Sequence, residues 1–361
     1  MRNNLEDKTP TVTIGIVTYN RPDLLREAVL SILNQTYGNF ELLIGNDYIK
    51  TPVTFDTLGI NPNPRVKILN YSSNLGENGN MNHLLNLAQA EWFVWLADDD
   101  VFHHSFLEAT LNTVSDEDDV VAVYSGHAVG NLNSDFFNDI DLCRSVNFPA
   151  SAFIPKYVSK EIELIGCYGL IKTEKLKEIG GMPSLGSSFG SYSNAIMQMA
   201  PETNGEVAHE AWSGPYSDTL IPILLCEIGD INYLDSPLVF LRTHEGSISF
   251  TSSNIEAYIS AESDFLYRLT EICNNIGGIS TDRCVYHMVN WFRDNEFSVI
   301  SRNSTISRIS VIIDFISHQL KVNYPRIKIK YWMKFSLDTT GILLKVVVNS
   351  IIKRIIGSSK N

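Results

Sequence analysis

The apolar positions of this chain fall into short continuous runs separated by stretches with helical spacing. Thr11 to Thr18 (TVTIGIVT) is a β-branched run bounded by Pro10 and by Asn20 and Pro22, the mark of a buried strand. A helix is expected at once, because Pro22 suits a first turn. Leu24, Leu25, Ala28, Val29, Ile32 and Leu33 then recur at helical spacing until Gln35 and Gly38 end the pattern. Strands at Phe40–Asp47 (FELLIGND), Arg65–Asn70 and Glu91–Ala97 (EWFVWLA), with a helix from Asn78 to Ala90, continue the alternation. The pattern predicts an α/β fold, a mostly parallel sheet with helices on both faces. Ligands of such sheets sit beyond the carboxyl ends of the strands, where Asp47 and the run Asp98, Asp99, Asp100 both stand.

Further along, Val120–Gly126 reads as a fifth strand, whereas the polar segment Asn131–Asn147 has no period and suits the lining of a substrate cleft. Ile165–Pro183 reads as a strand, a short helix and a Gly-Gly turn. Ser184–Pro215, rich in Ser, Gly and Asn, is expected to be a lid or binding loop. Ser217–Gly229 reads as a helix opened by Ser217 or Asp218, Tyr233–His244 as one or two strands, and everything from Ile255 onward as helical.

With 361 residues, 44% of them hydrophobic, the chain can bury a sizeable core as one large domain or two smaller ones. Its formal charge of −13 excludes nucleic acid as a partner, since a phosphate backbone needs a basic surface to replace its counterions. A small phosphorylated ligand bound through a cation is compatible with that charge. Five cysteines without metal or redox spacing are expected to be reduced core residues. The first ten residues lack the apolar run of a secretory signal, and no segment has the roughly 18 apolar residues of a span, so a cytoplasmic location is expected.

Three like charges at one strand end repel, and two readings of Asp98, Asp99 and Asp100 stand. One is a solvated loop in which an aspartate caps the next turn. The other is a divalent cation site, in which one or two carboxylates hold the ion while substrate phosphates and water complete its shell. Asp218 likewise suits a helix cap and a carboxylate placed to take a proton, and the two roles are compatible. His244 is a structural group or a ligand.

Five pieces stand in order: VTYNRPDLLREAVLSILNQTYGNFELLIGND, NLGENGNMNHLLNLAQAEWFVWLADDD, GLIKTEKLKEIGGMP, SDTLIPILLCEIG and RTHEGSIS. In this order and spacing, from Thr11 to Ser249, they resemble family 2 glycosyltransferases of the GT-A fold. The resemblance implies a Rossmann-like catalytic domain over residues 1–250, with a nucleotide-binding half at 11–125 and an acceptor half at 126–250, followed by a helical C-terminal region at 251–361. It implies that Thr18, Asn20 and Arg21 form the first nucleotide-binding loop, that Asp47 binds the nucleobase, that Asn82 lies in the donor pocket and that Asp98 faces the sugar or ribose. Asp99, Asp100 and His244 would be the ligands of Mn²⁺ or Mg²⁺, imidazole favouring Mn²⁺. Which aspartate touches the ion is left open, because Ala97 stands where many members have their first Asp. Met81 also stands where many have an Arg of the donor pocket.

Asp218 matches the family's catalytic base, and one base with a metal-held leaving group implies an inverting displacement. Glu210 and Trp212 (HEAWSGPYSD) are candidate acceptor contacts, although a loop Trp serves equally as a packing anchor. The implied activity moves a sugar from a nucleotide-diphosphate donor, most commonly a UDP-sugar, to a hydroxyl of a glycan or lipid-linked acceptor in cell-surface polysaccharide synthesis. Two rivals are an inactive nucleotide-sugar-binding scaffold and a sugar nucleotidyltransferase; the latter needs a Gly-rich basic loop after the first strand, which VTYNRPDLL does not supply. From Lys321 to Asn361, nine Lys or Arg face one acidic residue, Asp338. Gly341–Gly357 is therefore read either as a basic amphipathic helix in peripheral contact with the inner face of a membrane, or as a final helix docked on the catalytic domain.

Overall fold

The computed structural model describes residues 10–114, 119–185, 215–244 and 255–302. Strand β1 (Val12–Thr18) runs between two parallel neighbours, β2 (Phe40–Asn46) and β4 (Trp92–Ala97), with β3 (Val66–Asn70) outside β2. Alternate residues of β1 face opposite sides of the sheet. Val12, Ile14 and Ile16 pack with Leu25, Val29 and Ile32 of α1 (Pro22–Leu33) on one side. On the other side lies α3 (Glu77–Leu87), which follows the short α2 (Phe55–Leu58) in the chain. Two glycines let α3 come close: Gly15 packs on Phe93 and Leu84, and at Gly45 a Cβ would stand 2.0 Å from Asn80 Oδ1.

Beyond β4 the sheet turns mixed. The order is β3-β2-β1-β4-β8-β6-β9-β5, where β5 is Val101–Phe102, β6 Val120–Gly130, β8 Leu170–Lys172 and β9 Asp230–Arg242. Strand β8 is antiparallel to both β4 and β6, while β6 and β9 run parallel to each other. β5 and β7 (Ser145–Phe148) are both antiparallel to β9. The short α4 (Phe106–Leu111) and α6 (Thr173–Glu178) connect strands. A second hydrophobic cluster joins α3 to α5 (Ala150–Val158), α7 (Ser217–Leu225), α8 (Ile255–Ile276) and α9 (Thr281–Arg302).

Most expected elements are present with ends shifted by four residues or fewer. The fifth strand runs on to Gly130. The polar stretch Asn131–Asn147 holds a single 3-10 turn, Ser134–Phe137, and then enters β7. Helix α5, with Pro155 inside it, had no sequence signal strong enough to announce it. Reading all five cysteines as core residues is corrected: Cys143 is exposed and Cys167 partly so, whereas Cys226, Cys273 and Cys284 are buried and all five are free. The first two helices of the C-terminal region share a core with the acceptor half; Phe265 and Phe292 are fully buried in it. No helix among the described residues is long and apolar enough to cross a membrane. Glu210, Trp212 and the basic segment 341–357 lie outside the described residues.

Candidate functional site

Strands β1 and β4 end together, Val17 opposite Ala97, so the residues that follow meet at one sheet edge. Thr18 Oγ1 donates to Asp98 Oδ2 at 2.6 Å, and the Tyr19 amide donates to the same oxygen at 3.3 Å. Asn20 then takes a left-handed conformation (φ 56°), which asparagine tolerates, and turns the chain into α1. Arg21 stands at the helix entrance, and its Nη1 bridges Asp98 Oδ1 (3.2 Å) and Asp99 Oδ2 (2.9 Å). Burial pushes the Asp98 carboxyl up; the Thr18 hydroxyl and Arg21 pull it back.

Asp99 faces the opening, with His244 Nε2 3.0 Å from its Oδ2. Asp100 turns the other way. Its two oxygens accept from the Tyr168 hydroxyl and from the Arg242 amide, the latter at 2.9 Å. Burial, and then the charge of Asp99, pushes its pKa up to about 7. Asp100, expected as a metal ligand, thus ties β9 to the end of β4 and so holds the strand that delivers His244. Arg242 is held in turn by Glu27 of α1, Nη1 to Oε2 at 2.7 Å. Among the described residues no three His, Cys, Asp or Glu side chains converge on a cation position. Asp99 and His244 could hold an ion only with phosphate and water completing its shell, and an imidazole nitrogen suits Mn²⁺ better than Mg²⁺.

At the end of β2, Asp47 is buried and accepts from the Leu75 amide at 2.6 Å and from Gly76. Burial raises its pKa, and those two amides oppose the rise. Its carboxylate thus fixes the loop before α3. Tyr19 and Tyr48 meet edge to face beside it, ring centroids 5.2 Å apart. Asn82, expected in a donor pocket, is engaged with the acceptor half. Its Oδ1 accepts from the Met182 amide at 2.8 Å and its Nδ2 donates to the Met182 carbonyl at 3.1 Å, so its amide clamps α3 to the turn after α6.

Asp218 approaches from the acceptor half. It is the second residue of α7, one place inside the helix, and the cap position belongs to Tyr216 in a left-handed conformation (φ 71°). A bulky residue keeps such a φ only when its surroundings enforce it. Here Phe292 of α9 lies 4.3 Å and Tyr258 of α8 5.6 Å from the Tyr216 ring, centroid to centroid. From below, Gly166 leaves no room: a Cβ there would stand 1.8 Å from the Asp218 carbonyl oxygen. Asp218 keeps part of its surface open within crowded walls. Burial pushes its carboxyl up, with its own turn's amides pulling back.

One group was missed from the sequence. Glu77, the first residue of α3, is exposed in this cleft and feels Asp218 and then Asp99. In the sequence it is only an acidic residue in a first helical turn, where such residues are common. Tyr168 and Glu27, which steady Asp100 and Arg242, carried no signal at all.

Residues 13–180 match the family described as Glycosyl transferase family 2. An uncharacterized glycosyltransferase of Rickettsia typhi is 31% identical over 121 residues, 33% of this chain and 37% of that protein. The GalNAc(5)-diNAcBac-PP-undecaprenol beta-1,3-glucosyltransferase of Campylobacter jejuni is 33% identical over 97 residues, 25% of this chain and 30% of that one. The chain spans 19% to 37% of the length of the Rickettsia relatives it matches. Among solved structures, S. aureus TarS 1-349 in complex with UDP-GlcNAc shares the fold, with a TM-score of 0.54 and 15% identity over 85% of this chain and 81% of that one.

Proposed function

We propose that this chain, whose residues 13–180 match the family described as Glycosyl transferase family 2, moves a sugar from a nucleotide-diphosphate donor to a hydroxyl of a glycan or lipid-linked acceptor, with inversion. The observation that carries this reading is the cluster of Asp98, Asp99, Arg21 and His244 at the sheet edge, with Asp218 near enough that Glu77 feels both it and the aspartates. The Campylobacter relative is named for a lipid-linked acceptor and TarS was solved with UDP-GlcNAc, which supports these substrate classes.

In this reading Asp47 and the loop Thr18–Arg21 receive the nucleoside. Asp99 and His244 hold a divalent cation, which when bound offsets the charge of the diphosphate. Arg21, held by Asp98 and Asp99, adds its positive charge beside the same phosphates. Asp218 accepts the proton of the acceptor hydroxyl as that oxygen bonds to the anomeric carbon; the bond from that carbon to the phosphate oxygen breaks, and the nucleoside diphosphate leaves. The raised pKa of Asp218 strengthens it as a base, since a carboxylate that is costly to keep ionised takes a proton more readily. Asp100 and Asn82 act as supports in this scheme, the first under His244 and the second under α3.

The test is a thermal-shift panel of UDP, GDP, dTDP and CDP with and without Mn²⁺, on the wild type and on Asp99→Ala. A ligand that binds only the folded state stabilises it, by roughly 2.7 kcal/mol at a hundredfold excess over Kd. One nucleotide is expected to raise the melting temperature of the wild type with metal, and Asp99→Ala to remove most of that rise. A panel with no shift in the wild type overturns the reading.

A further inference from the structure

The first turn of α3 is fixed from both sides. The Leu75 amide is bound by Asp47, Asn80 Nδ2 donates to the Gly45 carbonyl at 2.8 Å, and Asn78 Nδ2 donates to the Pro183 carbonyl at 3.0 Å. Within this clamped turn the Glu77 carboxylate is exposed and makes neither a hydrogen bond nor an ion pair among the described residues. The next side chain, Asn78, is 9% exposed, and its Oδ1 also lacks a partner. Among the described residues, then, the exposed Glu77 carboxylate and the buried Asn78 Oδ1 meet no donor.

Glu77 shares its cleft with Asp218, Asp99 and Asp98, three like charges, against the single guanidinium of Arg21. The protein packed around the cleft, and then Asp218 ahead of Asp99, pushes its pKa up to about 7, although water in the opening tempers that crowding. Glu77 thus counts both the base and the aspartate–arginine group among its charged neighbours. On the proposed function, the transferred sugar lies in the space those groups share, because its anomeric carbon stands between the departing phosphate and the incoming hydroxyl. An ionised carboxylate is an acceptor only, and ring hydroxyls are donors.

We propose that Glu77 binds hydroxyl groups of the donor's sugar and thereby selects which sugar is transferred. This inference rests on the transferase reading and adds to it a specificity residue. A site built to hydrogen-bond a hydroxyl rejects the analogue that lacks or misplaces it, because the acceptor is then left unpaired.

Calorimetry on the full chain with Mn²⁺ separates the alternatives, using UDP against UDP-glucose, UDP-galactose and UDP-GlcNAc, and GDP against GDP-mannose, on the wild type, Glu77→Ala and Glu77→Gln. Glu77→Ala is expected to leave the Kd of the free nucleotide within about twofold and to weaken the preferred nucleotide sugar about tenfold or more. It should also narrow the preference between glucose and galactose, which differ in one hydroxyl. Glu77→Gln keeps an oxygen acceptor and is expected to lose less. Equal loss for nucleotide and nucleotide sugar, or no loss for either, overturns the assignment of Glu77 while leaving the transferase reading standing. A wild type that binds neither nucleotides nor nucleotide sugars overturns both.

Discussion

Asp218 and Asp98 are both aspartates of the same cleft, yet their neighbours give them different work. Asp98 is saturated by Thr18, Tyr19 and Arg21, so it shapes the loop around it. Among the described residues Asp218 is met by the amides of its own turn and by Thr219 Oγ1 at 3.5 Å, and burial raises its pKa. Only its ionised form takes a proton, so kcat/KM should climb with pH through a value above that of an ordinary aspartate, 3.8, and then level. Asp218→Asn should lower kcat about 100- to 10,000-fold with nucleotide affinity unchanged, as read from single-turnover rates beside calorimetry. At this scale the sequence was legible in singling out Asp99 and His244, which the fold brings to 3.0 Å of each other although 145 residues separate them. It was mute on Asp100, whose partners Tyr168 and Arg242 lie 68 and 142 residues away. Three adjacent aspartates look alike in a string, and only the pleat of the strand end decides which one faces the opening.

At the scale of elements, hydrophobic period announced β1, α1, β2 and β4 because each buries a full face or both faces. Helix α5 escaped notice because it has nine residues with Pro155 among them, and β7 because Val146 and Asn147 are exposed and its one partner is β9. The 3-10 turn Gly166–Tyr168 shows what such small pieces do: it supports the α7 entrance at Gly166 and sends Tyr168 to Asp100. Gly166→Ala should force the α7 entrance to move, since the added carbon meets backbone and not a flexible side chain. We expect a loss of stability of about 1–3 kcal/mol by urea denaturation. A drop in kcat of roughly a hundredfold from a misplaced base is expected beside it, with the KM of the donor nearly constant.

Across the whole molecule, the sheet separates two hydrophobic clusters, and the cleft opens along the edge where its parallel strands end. That placement was readable from strand order alone, following from the parallel alternation. The sharing of one core by α8, α9 and the acceptor half was not, since a helical period shows which face is apolar without showing what covers it. Buried carboxylates give the molecule a pH signature. Asp98, Asp100 and Asp218 all have raised pKa values, so between about 4 and about 7 the folded state binds more protons than the unfolded state. Stability without a cation should therefore fall as pH rises through that window. His103 and His127, whose pKa values burial lowers, pull the opposite way below about 6.5. Urea midpoints at pH 5 and pH 7.5 in EDTA are expected to show the net loss, and Mn²⁺ with nucleotide to reduce it.

The grip of Phe292 and Tyr258 on Tyr216 also has a temporal side. During synthesis the strands β1, β2 and β4 are made well before α9, whereas the backbone turn that carries Asp218 is enforced by rings of α8 and α9 that follow it in the chain. On the proposed function, a chain halted before α9 lacks that enforcement, and with it the placement of the base.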